Sequence, residues 1–137
     1  MNVLLSIKPK FVEEIKKGNK KYEFRKTIFK KDVDKVFIYC SSPVQKIIGY
    51  FLIADIIEDS PDEIWERCKE DSGINETDFF IYFKNKNTGY AIEIKELELF
   101  DPPKDPKTMN PEFRPPQSYY YINNNIKSIK PLMEYLK

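Results

Sequence analysis

Histidine is absent from all 137 residues. That removes the commonest general base and the commonest metal ligand together, and with them any Ser-His-Asp or Cys-His machine. Cysteine is scarce. Cys40 and Cys68 lie far apart and match no zinc spacing. Two free thiols in a reducing cytosol is the reading they support. Glycine occurs only at 18, 49, 73 and 89, which leaves no glycine-rich phosphate loop. No apolar run approaches the ~20 residues of a membrane span. The opening "MNVLLSI" is too short for a signal segment and leads directly into lysines. A charge excess is lacking too: 23 Lys and Arg face 22 Asp and Glu, a net +1. Such a balance exerts no general pull on duplex DNA. The expectation is a cytoplasmic protein with no metal, no cofactor and no membrane partner.

What is present points to one globular domain over 1–137. Hydrophobic residues make up 41% and aromatics 15%, enough for a sizeable core. The charges are segregated along the chain. Residues 8–35 hold eleven Lys or Arg against five acids, whereas 55–78 are mainly acidic. Acid clusters such as "EDSPDE" read as helix N-terminal charge rather than as a cation site.

The periodicities predict a strand at 2–7, then a helix with Pro9 in its first turn and Gly18 as its stop. Strands follow at 20–26 and 35–40. The run 45–59 is too long for one straight strand, with a bend expected at Gly49. Ser60, Pro61 and Glu63 form a capping box that opens a helix over 60–71. A further helix is predicted at 75–84, capped by Asn75 or Thr77, because Phe79, Phe80 and Phe83 share a face. Residues 90–100 alternate as a strand whose phase changes between Lys95 and Glu96, the mark of a bulge or twist. Residues 101–116 carry six of the ten prolines and are expected to be an irregular surface excursion. A last strand at 117–122 and a C-terminal helix complete an α+β reading. The expected form is a small β-barrel of about five to six strands flanked by helices.

Two polar stretches carry candidate chemistry. In "GNKKYEFRK", strand alternation sets Tyr22 and Phe24 on one side, and Glu23 and Arg25 on the other. One reading is an ordinary half-buried strand with a weak surface pair. The other is a pocket wall, with Lys20 reaching in from the rim. In "RPPQSYYYI", Gln117 and Ser118 precede Tyr119, Tyr120 and Tyr121. This is either a core strand with its hydroxyls at the edge or a stacking platform for single-stranded bases. "YCSSP" adds Ser41 just after a strand, where a turn serves equally well as an explanation.

"LLSIKPKFVEEIKKGNKKYEFRK", followed by "VFIYCSSPVQKIIGYFLIADI", resembles the ASCH family of the PUA-like superfold. Its G-x-K-x-x-E-x-R run is filled here by Gly18, Lys20, Glu23 and Arg25, and "PPQSYYYI" resembles a terminal strand of one subgroup. The likeness covers most of 3–57 and 114–122. It implies a barrel with a cleft beside the motif and a function bound up with RNA or modified nucleosides. By that resemblance Lys20, Glu23 and Arg25 line the site, and the polar stretches above add Ser41, Gln117, Ser118, Tyr119 and Tyr120 as ligand-binding candidates. Lys20, Glu23, Arg25 and one of residues 118–120 are expected to converge. The resemblance also implies an alternative, a small metal-free hydrolase of N-acylcytidine or of RNA with Lys20 and Glu23 catalytic. A protein-interaction module is a third alternative. The small amidohydrolases of the family tend to carry threonine where Glu23 stands. Glu23 is therefore expected to pair with Lys20, raise its pKa and keep it protonated.

Overall fold

The computed structural model describes residues 1–122. The expected C-terminal helix lies outside the described residues. Six strands are hydrogen-bonded in the order β2-β5-β4-β3-β1-β6. They are β1 (Asn2–Ile7), β2 (Tyr22–Arg25), β3 (Val36–Cys40), β4 (Lys46–Asp59), β5 (Gly89–Lys104) and β6 (Tyr119–Ile122). β1 pairs in parallel with β3 and antiparallel with β6, while β3–β4 and β2–β5 are antiparallel.

The described chain forms two compact units. One comprises Met1–Pro9, Lys31–Leu52 and the chain from Glu96 onward. Its core gathers Leu4, Phe37, Tyr39, Ile47, Phe113 and Ile122, with Tyr50, Phe100 and Tyr120 packed against it. The other comprises Lys10–Lys30 and Ile53–Lys95. There Phe24, Ile57, Ile64, Cys68, Phe79, Phe83 and Ala91 form the core. Phe79 is its hub, with the rings of Phe24, Trp65, Phe80 and Phe83 all within 5.0 Å of it, centroid to centroid. Fully burying one such ring contributes roughly 1.5–3 kcal/mol.

The helices follow their caps. α1 (Pro9–Lys17) buries Val12 and Ile15 and stops at Gly18, whose φ of +83° suits glycine. α2 (Pro61–Cys68) starts where Ser60 accepts the Glu63 amide, and it tightens into a 3₁₀ turn at Lys69–Asp71. α3 (Glu76–Tyr82) is capped by Asn75, which accepts from Asp78 N at 2.8 Å.

The long strands bend where the sequence indicated. The β3–β4 register slips beside Gly49, and a β-carbon on Gly49 would collide with the Glu98 carbonyl. In β5 the phase change falls on Glu96, at a φ of +49°.

The proline-rich stretch corrects the expectation. β5 continues through Pro102 and Pro103 to Lys104, and α4 (Pro106–Met109) follows, capped by the Asp105 side chain on Lys107 N. Proline fixes φ near −65°, which extended backbone tolerates, and Pro106 sits at a helix start, where its missing N–H costs nothing.

Candidate functional site

Lys20 enters β2 directly after the α1 stop, with its amide bonded to the Glu14 carbonyl at 3.1 Å. Its side chain is turned inward, and the residue is only 3% exposed. The ammonium donates to the Ser72 carbonyl at 2.9 Å and stands 4.5 Å from the Phe24 ring centroid and 5.1 Å from that of Phe11. A single β-bridge joins Lys20 to Ser72, and Lys21 N donates to the Asp71 carbonyl at 2.8 Å. The buried Ser72 hydroxyl lies 3.0 Å from the carbonyls of both Lys69 and Ile74. Gly73, at a φ of +63°, has no room for a β-carbon, which would collide with Lys20 Cβ. Lys20 is thus clamped between its own strand and the 72–73 turn.

Glu23 and Arg25 stand two residues apart on β2. They are not a solvated surface pair: their side chains are 8% and 13% exposed, with Arg25 Nη1 3.8 Å from Glu23 Oε1. The second carboxylate oxygen, Glu23 Oε2, is buried and has no hydrogen-bond partner among the described residues. A buried acceptor left unpaired is costly, and such groups are uncommon.

Burial dominates the titration of this group. It pushes the Glu23 carboxyl above its ordinary range, with Lys20 and Arg25 pulling the other way. It pulls the Lys20 ammonium below its ordinary value, against the opposing effect of the Glu23 charge. Pairing with Glu23 does raise Lys20, as expected, but desolvation of the ammonium outweighs the attraction and the net shift is downward. An amine held this way is a directed donor, and the carboxyl beside it is an acceptor with one free oxygen.

Tyr82 was not singled out in the sequence. It is half-buried at the end of α3, and the Lys26 ammonium stands 4.7 Å from its ring centroid. Burial raises its phenol pKa, with Arg25 and Glu23 both acting on it through their charges. The available signal was its place three residues after Phe79 on the helix face. Ser72 and Gly73 carried no local signal.

The remaining candidates belong to the other unit. Ser41 sits in a turn, its amide bonded to the Ile7 carbonyl and its carbonyl accepting from Val44 N at 3.2 Å. Gln117 is exposed, and Ser118 is half-buried with its carbonyl accepting from Ser6 N at 3.0 Å. Tyr119 and Tyr121 share a face, their rings edge to face at 5.7 Å. The Tyr120 ring packs against the core, and its hydroxyl donates to the Arg114 carbonyl at the surface, at 3.0 Å. Its phenol is pushed up to about 12, first by burial and then by Tyr39.

A family model described as the ASCH domain matches residues 5–113. An "ASCH domain-containing ribonuclease" of Zymomonas mobilis is 25% identical over 122 residues, 87% of this chain and 82% of that protein. The chain is also 26% identical over 121 residues to the ATP synthase subunit alpha of Ureaplasma parvum, but spans just 15% of it. The crystal structure of ASCH from Zymomonas mobilis superposes with a TM-score of 0.84 at 22% identity, covering 99% of this chain and 96% of that one. That likeness shows the fold, an α+β PUA-like arrangement of six strands with helices, as expected. No described helix is long and apolar enough to cross a membrane.

Proposed function

Since this chain belongs to the ASCH domain family, we propose that it binds RNA or a modified nucleoside through Lys20, Glu23 and Arg25. The observation that carries this reading is the unpartnered, buried Glu23 Oε2. It is an acceptor that an exocyclic amine of a base would satisfy, while Arg25 and Lys20 meet carbonyl or phosphate oxygens. The name of the Zymomonas relative agrees with an RNA-related role. In the other unit, Ser41, Gln117, Ser118 and Tyr119 remain proposed contacts to the ligand. Tyr120 is the weakest of that set, because its hydroxyl is already engaged. The reading carries with it a chain that works as a single domain over 1–137, little preference for duplex DNA, and a cytoplasmic location. The two buried free thiols, Cys40 and Cys68, support that location.

The test is calorimetric titration with a panel of nucleosides and short single-stranded RNAs. Wild type is expected to bind, and Glu23→Gln to lose about 10-fold or more, the scale of one hydrogen bond to a buried charge. Failure to bind any nucleoside or RNA turns the reading toward a protein-interaction module.

One observation favours a second reading, in which the chain cleaves its ligand. Burial lowers the Lys20 pKa, and a neutral amine is a base. Robust wild-type hydrolysis of RNA or N-acylcytidine that vanishes in Lys20→Ala would install the enzyme. Binding with slow or absent turnover is the expected result.

A further inference from the structure

Tyr82 is the last residue of α3, on the side of the helix that packs against β2. Three residues earlier, Phe79 meets the Phe24 ring at 5.0 Å. The Tyr82 ring is half-buried, edge to face with Phe83 at 4.8 Å, and the Lys26 ammonium stands 4.7 Å from its centroid. The Lys26 main chain hydrogen-bonds the phenol oxygen, and that bond favours the ionised form, so the amide is the donor. The oxygen is held just past Arg25, at the exit of β2, and its own proton is left to give. A tyrosine with a packed ring and a hydroxyl at the edge is common and needs no ligand. Two facts set this one apart. The charges of Arg25 and Glu23 both reach the phenol. Yet Glu23 Oε2, buried and unpartnered, does not take the phenol proton. A donor and an acceptor of one polar group therefore stand unjoined. A third molecule that offers a donor to Glu23 and an acceptor to Tyr82 satisfies both.

We propose that Tyr82 is a specificity-determining contact of the Glu23 site, its hydroxyl donating to a ring-nitrogen or carbonyl acceptor on the same base edge whose amine Glu23 accepts. The proposal rests on the nucleoside-binding reading and narrows it: the ligand must carry donor and acceptor side by side. The hydroxyl, not the ring, is the recognition element, since Lys26 covers one face of the ring.

The experiment titrates wild type, Tyr82→Phe and Glu23→Gln with the nucleoside panel, then with analogues of the tightest binder in which each base acceptor in turn is replaced by a C–H group. Phenylalanine keeps the ring, its packing on Phe83 and the cation above it, and removes one O–H. Thermal midpoints check the fold. Tyr82→Phe is expected to bind the tightest nucleoside about 5- to 10-fold more weakly, the scale of one neutral hydrogen bond. One analogue is expected to weaken wild type by a similar factor, yet to bind Tyr82→Phe no worse than the parent nucleoside does, because the bond it lacks is already gone. Wild-type affinity in Tyr82→Phe, beside a loss in Glu23→Gln, would overturn the contact and leave the Glu23 reading standing. So would wild type that tolerates every analogue, a result that needs no variant. Equal losses of Tyr82→Phe on the parent and on every analogue would overturn it too, because the hydroxyl would then act through the fold. Wild type that binds no nucleoside overturns the proposal, and the reading beneath it as well if RNA also fails to bind.

Discussion

The Lys20 ammonium donates to the main-chain carbonyl of Ser72, 52 residues along the chain, at 2.9 Å. One strand entry and one turn therefore share a buried charge. The carbonyl supplies a partner that does not change with pH, and the neighbouring Gly73 lets the turn approach closely enough to supply it.

Gly73→Ala is the direct test of that clamp. A β-carbon at a φ of +63° is strained in itself and would also collide with Lys20 Cβ. The left-handed backbone alone costs about 1–2 kcal/mol. Urea denaturation is expected to show a loss of at least that size, and nucleoside affinity should fall with it as Lys20 is displaced. An alanine variant as stable as wild type would show that the turn gives way easily and does not hold the lysine.

Glu23 and Lys20 should leave opposite marks on stability against pH. Burial raises Glu23 above its ordinary 4.5. Just above that value the folded chain keeps a proton that the unfolded chain releases, so stability falls as pH rises through the window. Glu23→Gln removes that fall. Burial lowers Lys20 from 10.5. Just below that value the unfolded chain holds a proton the folded chain has lost, so stability rises with pH there, and Lys20→Met removes the rise. Chemical denaturation at a series of pH values reads both slopes. Unchanged slopes in both variants would mean that neither group is buried as described.

Phe79 is fully buried at the hub of five packed rings, and one of these, Phe24, is also the ring beneath the Lys20 ammonium. Phe79→Ala is expected to destabilise the protein by about 3–5 kcal/mol, the cost of a large core cavity. It should also loosen the Lys20 site, seen as weaker nucleoside binding in whatever fraction stays folded. A loss under ~1 kcal/mol would mean that the ring cluster closes over the gap.

Local chemistry was legible in the chain. The Ser60 N-cap with Pro61 behind it, the Asn75 cap, the stop at Gly18 and the phase change at Glu96 all act over a few residues, and the structure has each of them, although Ser60 N donates to Asp59 Oδ1 rather than to the Glu63 carboxylate a full capping box would use. The six-stranded α+β plan was legible for the same reason, because alternation and caps set strand and helix without distant help. The proline-rich stretch misled because composition says where hydrogen bonds are missing, not which backbone shape remains. Pro102 and Pro103 extend β5, and Pro106 opens α4. The motif residues could be named from the sequence, but their state could not. Alternation set Glu23 and Arg25 on one face and left open whether that face met water or protein. Only the packed fold buried Glu23 with one oxygen unpaired, and only it brought the Ser72 carbonyl to Lys20. Burial and non-local contact come from segments distant along the chain, and at this site desolvation exceeds the pairing that the local sequence advertised.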